Sequence, residues 1–300
     1  MALQIPLSGK PADAAQAFYG TERRNPAEPR EAVTVVLVRD GVQPAPGELE
    51  VFFMRRAATM SFAAGMPVFP GGRVDERDDE AVRWIGPDPE EWSRRLDTSA
   101  ALARAIVCAA VRETFEEAGV LLAGRDAETV ADCSGPEWAA ERARLERHEI
   151  SLSELLAEHE LAVRTDLLAP WSQWLTPEFE PRRYRTRFLL AAVPPGQETL
   201  GGSSESVATY WTPVHTALGS ADSGAEFRIA ALLPPQYFTC LDLYDHATVE
   251  EALSASRSME WVLPSAELRD GSAYLELPEA FAATRTRVRN LLRGRGTLDW

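Results

Sequence analysis

Apolar and polar positions along the chain first take on a regular pattern at residues 32–40, AVTVVLVRD, a β-branched run closed by Asp40-Gly41. A Pro/Gly-rich turn through Gly47 leads to a second run, LEVFFMRR at 49–56, and together the two predict a β-hairpin. Residues 1–30 are Pro-rich without sustained periodicity and read as a mostly irregular lead-in. Pro70-Gly71-Gly72 is a chain break that lets backbone approach a neighbour closely. Residues 73–98 are acidic, carry Trp84, Trp92 and the Gly86–Pro89 turn, and read as an insertion.

A long helix is then expected from a cap at Ser99, through the apolar ALARAIVCAAV, to Gly119 as its stop. Gly119-Val-Leu-Leu is expected to start a strand, and residues 136–163 carry the Glu/Arg/Leu pattern of one or two helices. YRTRFLLAAV at 184–193 and SVATYW at 206–211 read as strands. Residues 213–219, 247–257 and 278–293 read as helices, the last basic and amphipathic. Helices and strands mix without a βαβ repeat, which points to an α+β fold, an α/β/α sandwich with a mixed sheet. The expected division is a lead-in at 1–30, a main domain at 31–220 with insertions near 73–98 and 124–175, and an extension at 221–300. LLPPQYF at 232–238 is too apolar for a free tail, so the extension is expected to pack on the domain.

Composition narrows what this fold can do. With 46 acidic against 31 basic residues the formal net charge is −15, which opposes nucleic-acid binding over the whole surface. A small polyanion remains a compatible ligand if divalent cations and local arginines reverse the field inside one cleft. The start of the chain lacks a signal-peptide pattern and no long apolar run occurs, so a cytoplasmic protein without membrane contact is expected. Cys108, Cys133 and Cys240 form no CxxC pair, and His148, His159, His215 and His246 show no metal-ligand spacing.

The chemistry-bearing segment is Arg112-Glu-Thr-Phe-Glu-Glu-Ala-Gly119. Glu113, Glu116 and Glu117 fall at i, i+3 and i+4, so a helix presents them on one face. Like charges at that spacing repel, and hard divalent cations with oxygen ligands are the partners that relieve them. The preceding turns are apolar nearly all round, so this helix is expected to be buried and its terminal charges to have a purpose. Arg112, permanently charged and able to bond bidentately, can orient the carboxylates.

These residues resemble the second half of the Nudix box, GX5EX7REUXEEXGU, and Phe69-Pro-Gly-Gly72 resembles its first half. Arg112 lies 40 positions after Gly72 rather than the box's 14, so an insertion interrupts the motif. The box's first glutamate falls on Arg104, while Asp78 stands at the matching offset from Gly72; Thr114 takes an apolar position. Interruption at this place resembles the subgroup that includes the peroxisomal coenzyme A diphosphatases. Trp174–Pro177, Arg182-Arg183, Thr186–Phe188 and Leu233–Pro235 are similar to that subgroup as well. Its coenzyme A signature is matched by Arg56, Ala57, Gly65 and Phe69–Gly72, with Ser61 in place of a second arginine.

The resemblance implies a Mg²⁺- or Mn²⁺-dependent hydrolase of a nucleoside diphosphate derivative, with metal on Glu113, Glu116 and Glu117. Coenzyme A or acyl-coenzyme A is the leading substrate; NADH, ADP-ribose or a nucleotide sugar is the alternative, and a nucleotide-sensing protein without turnover is another. Gly71 and Gly72 would pack beside the metals, and Arg55, Arg56 and Arg73 are candidate phosphate contacts. Glu205, and after it Glu198, is the candidate general base. Trp84 and Trp92 are expected to pack the insertion onto the domain, with stacking on an adenine as the alternative, and the insertion itself either covers the cleft or mediates a homodimer.

Overall fold

The computed structural model describes residues 3–20, 25–57, 65–201, 206–221 and 232–294. The chain opens with β1 (Leu3–Pro6) and α1 (Lys10–Tyr19), which corrects the expectation of an irregular lead-in. Pro11 fits the first turn of α1, where no amide hydrogen is required, and Ala15 and Phe18 are buried. The expected hairpin follows as β2 (Arg30–Arg39) and β3 (Glu50–Arg56), antiparallel with Val38 opposite Val51. Two short strands hang on it: β4 (Pro67–Val68) on β3 and β5 (Gly71–Arg73) on β2.

The expected insertion contains a single turn at Glu76–Asp79, β6 (Trp84–Ile85) and α2 (Pro89–Leu96). Trp92 is fully buried and Trp84 packs against the same core, so both tryptophans fix the insertion to the domain. Next is α3 (Ala100–Ala118), in which the Ser99 hydroxyl accepts from the Leu102 amide and Gly119, at φ 71°, takes the left-handed cap. The strand expected from Gly119 does not form at 119–122. Val120, Leu121 and Leu122 are buried in irregular backbone, and only β7 (Ala123–Gly124) is extended.

The two helices expected over 136–163 are α4 (Pro136–Glu146) and α5 (Leu152–Glu158). Four strands succeed them, β8 (Ala162–Arg164), β9 (Leu168–Leu175), β10 (Tyr184–Ala192) and β11 (Ser206–Pro213). Then come α6 (Val214–Ala221), α7 (Pro234–Leu243) and α8 (Val249–Ser254). The chain continues through β12 (Trp261–Val262), β13 (Ser265–Arg269), β14 (Ser272–Leu277) and α9 (Glu279–Gly294).

The main sheet runs β11-β3-β2-β10-β9-β12 and is mixed, because β10 lies parallel to β2 from Tyr184↔Arg30 to Ala192↔Val38. Smaller sheets run β1-β14-β13 and β6-β8-β7. Alternation along β2 explains the layers. Val33, Val35 and Leu37 face the core built on α3, while Val36 and Val38 face the core that holds Tyr237, Phe238 and Leu241 of α7. A sheet apolar on both faces needs a helix layer on each, which is the expected α/β/α sandwich. Each large side chain buried there contributes roughly 1.5–3 kcal/mol. Among the described residues no helix is long and apolar enough to cross a membrane.

Candidate active site

The last turns of α3 put charge where apolar residues would be expected. Arg112, Glu113, Glu116 and Glu117 are 7%, 9%, 7% and 5% exposed, although this end of the helix lies inside the protein. Buried charges persist only when paired and hydrogen-bonded. Arg112 meets much of that demand. Its Nε and Nη2 reach the two Asp78 oxygens at 2.8 and 3.0 Å, and Nη1 donates to Glu113 at 2.8 Å and Glu116 at 3.3 Å. Nη2 also donates to the Arg73 carbonyl at 3.1 Å, which ties the helix to the strand beneath it. Burial opposes the charge on Arg112, but its bonds to Asp78 and the nearby Glu113 raise its pKa above the ordinary value.

Asp78 thus occupies the matching offset from Gly72 as the partner of Arg112. It is 2% exposed and locked by a capping box in which the Asp75 amide donates to its Oδ2 at 2.7 Å. Arg104, at the box position of the first glutamate, instead pairs with Asp79 near the surface. Thr114 tolerates its apolar surroundings because its hydroxyl donates to the Ala110 carbonyl at 2.7 Å.

The glycine turn closes the other side. The Gly71 amide donates to Glu117 Oε2 at 2.6 Å. A Cβ on Gly72 would lie 2.3 Å from Glu113 Oε1, and one on Gly71, at φ 154°, would lie 2.3 Å from the Val33 carbonyl. Any other residue at either position would displace the carboxylate or the sheet. The interrupted halves of the motif therefore meet in space, because β5 pairs with the centre of the sheet and α3 packs across it.

Three carboxylates on Arg112, with Glu117 beside them, leave an excess of negative charge that Arg112 and Arg142 do not cancel. Glu116 Oε1 is buried and has no hydrogen-bond partner. Burial pushes the Glu116 carboxyl up to about 7; Arg112 opposes this while Glu113 and Asp78 add to it. Among the described residues no three His, Cys, Asp or Glu side chains form a ready-made metal cage. The reason is visible in the bonds above, which turn carboxylate oxygens toward Arg112 and Gly71. The donor set still fits a hard divalent cation, since Mg²⁺ takes one or two carboxylates and completes its shell with water and phosphate oxygens.

Sequence reasoning missed Arg142. From α4 it donates to the Glu116 carbonyl at 2.7 Å and the Glu117 carbonyl at 3.3 Å, satisfying the C-terminal end of α3 directly behind the carboxylates. Nothing in the Glu/Arg-rich run of α4 singles it out, because its role depends on a tertiary contact. Arg55 and Arg73 are exposed and Arg56 is half-buried, each at a strand end. Glu198 is exposed in the loop after β10. Glu205 and Ser61 lie outside the described residues. Three histidines serve local contacts: His159 stacks on Trp138, His246 meets the edge of Trp171, and His215 lies 3.0 Å from the Gly47 carbonyl. His148 is exposed.

A capped helix bearing this Arg–Glu–Glu–Glu cluster against a glycine strand, in an α/β/α sandwich, defines a Nudix hydrolase. The family model for the NUDT19 Nudix domain matches residues 89–243, over half of the chain, and the chain belongs to that family. It is 27% identical over 289 residues to the acyl-coenzyme A diphosphatase NUDT19 of Gallus gallus, covering 77% of this chain and 72% of that one. A relative in Caenorhabditis elegans named as a nudix hydrolase is 28% identical over 188 residues, and the match spans 63% of this chain but only 53% of that protein's length. The crystal structure of a NUDIX hydrolase from Alicyclobacillus acidocaldarius superposes with a TM-score of 0.60 at 31% identity, covering 76% of this chain and 97% of that one. Nudix hydrolases act on small nucleotide substrates and generally use divalent metals.

Proposed function

We propose that this enzyme hydrolyses the diphosphate of coenzyme A or acyl-coenzyme A to adenosine 3′,5′-bisphosphate and a 4′-phosphopantetheine product, with Mg²⁺ or Mn²⁺ held by Glu113, Glu116 and Glu117. The observation that carries the reading is the unsatisfied Glu116 oxygen in a buried carboxylate cluster pressed against Gly71 and Gly72. A divalent ion there would neutralise the phosphoryl oxygens and lower the pKa of the attacking water. The chain's own residues do the remainder. Arg112 holds Glu113 and Glu116 in orientation, and the Glu117–Gly71 bond fixes the loop to the helix. Arg55, Arg56 and Arg73 are the candidate phosphate contacts, Arg73 from the side of β5 opposite Glu113, and Glu205 is the candidate acceptor of the proton released as water adds across the P–O–P bond.

The coenzyme A substrate is supported by the relatives' named activity and by the matched arginine and glycine positions in the sequence. Ser61, where the signature has a second arginine, supports a second reading with NADH, ADP-ribose or a nucleotide sugar as substrate. Incubating the purified chain with each of these and Mg²⁺ or Mn²⁺, and separating products by ion-exchange chromatography, distinguishes them. Adenosine 3′,5′-bisphosphate is expected from coenzyme A, and its absence rejects the first reading. Glu205→Gln is expected to reduce turnover sharply at unchanged thermal stability, whereas near-normal turnover removes Glu205 from the reaction.

A further inference from the structure

At one end of the main sheet a cavity of about 540 Å³ is lined by Glu28, Arg30, Arg73, Arg182, Arg183 and Tyr184, among others. Strand register explains the gathering. Arg30 and Tyr184 are opposite in the parallel β2–β10 pair, and Arg73 is opposite Ala32, two residues along β2 from Arg30. Side chains alternate along a strand, so Arg30, Arg73 and Tyr184 emerge on one face. The Arg30 amide donates to the Arg183 carbonyl at 2.9 Å, which fixes the segment carrying Arg182 and Arg183 beside them.

Four arginines over one acid invert the charge of a chain whose net charge is −15. Glu28 does little to neutralise them, being 87% exposed and 3.5 Å from Arg185 outside the cavity. Arg183 is 7% exposed, and its guanidinium donates to two neutral carbonyls, Thr176 at 3.0 Å and Ala27 at 3.0 Å. Among the described residues no ion pair joins Arg30, Arg73 or Arg183 to a carboxylate. A buried guanidinium without a counter-charge is unfavourable, and an anion in the cavity offsets that. Guanidinium forks match the planar oxygen pairs of a phosphate monoester.

We propose that this cavity binds a phosphate monoester, carried on the nucleotide half of the substrate outside the diphosphate that is cut. Its location supports the assignment. On β5, Gly72 faces Glu113, and the next residue, Arg73, turns to the other side and lines the cavity. Among the described residues β5 pairs with no strand but β2, and along its other edge the Gly71 amide and the Arg73 carbonyl bond Glu117 and Arg112, so the residue lining the cavity is tied directly to the carboxylate cluster. Placing the monoester on the substrate rests on the diphosphatase reading, whereas the cavity's preference for such an anion does not.

Calorimetric titration of the full chain with adenosine 3′,5′-bisphosphate and with adenosine 5′-monophosphate tests the site without turnover. The parent protein is expected to bind the bisphosphate roughly tenfold or more tighter, the scale of one charge-assisted hydrogen bond. Arg30→Ala combined with Arg182→Ala is expected to abolish that preference by weakening the bisphosphate more than the monophosphate. Both side chains are exposed, so circular dichroism should be unaltered, and each single variant, should the double variant misfold, is expected to lose part of the preference. Equal affinities in the parent, or a preference retained in the variants, overturns the proposal. In parallel, hydrolysis of coenzyme A is compared with that of its 3′-dephospho form. A binding preference with neither compound cleaved rejects the diphosphatase reading and leaves the anion site standing.

Discussion

Glu116 sits where burial and neighbouring carboxylates both disfavour ionisation, and this gives it a measurable signature. Its folded-state pKa of about 7 lies above the ordinary 4.5, so the folded protein binds the proton more tightly than the unfolded chain does. That contribution to stability is complete below pH 4.5 and is lost as the pH rises through 7. In EDTA, the parent protein should therefore lose on the order of 2 to 3 kcal/mol between pH 5 and 8 relative to Glu116→Gln, measured as diverging Tm values. Saturating Mg²⁺ should flatten the difference, because a cation replaces the proton. Parallel curves in EDTA would remove the buried-carboxylate argument. Turnover by Glu116→Gln should fall by about two to three orders of magnitude, the usual scale for losing one preorganised electrostatic group. At this scale the sequence was informative for Arg112 and the three glutamates, whose helical spacing is local. The partnership of Asp78 with Arg112 was only half visible, since an offset from Gly72 marks a position but not the bond it makes.

Single elements were legible where their signals are short-range. Ser99 and Gly119 bound α3 at the positions where a cap and a left-handed residue are required, and the β2–β3 hairpin shows in two β-branched runs around a turn. Residues 119–122 misled because buried, irregular backbone carries the same apolar composition as a strand; Leu121 pairs instead with the Gln197 side chain, which bonds both its amide and its carbonyl at 2.9 Å. Arg142 could not be seen because its partners are carbonyls of another helix. Arg142→Ala is expected to leave those carbonyls unsatisfied at the end of α3, lowering stability by about 1–3 kcal/mol. If the arginine positions the carboxylates, kcat should drop more than KM changes, and Arg142→Lys should restore stability better than turnover. Equal recovery of both by lysine would show that the residue only closes the helix.

Across the whole molecule, the two ends of the described chain meet. β1 pairs with β14 from Leu3↔Leu277 to Pro6↔Tyr274, an arrangement no local pattern could reveal because the partner lies more than 260 residues away. The strand carries a single fully buried side chain, Ile5, and α1 adds Ala15 and Phe18 to the same core as α7. That core lies across the sheet from α3, so the N-terminal segment stabilises the layer opposite the carboxylates without touching them. Deleting residues 1–20 should uncover Ile5 and Phe18's contacts and an edge of β14, destabilising the fold by roughly 3–6 kcal/mol at about 1.5–3 kcal/mol per large side chain. The expected result is a markedly lower Tm with metal-dependent turnover preserved at low temperature, measured on the same preparation. Loss of turnover while the remaining fold stays intact by circular dichroism would mean that the two layers are coupled through the sheet, and that the first twenty residues belong to the working site rather than to its support.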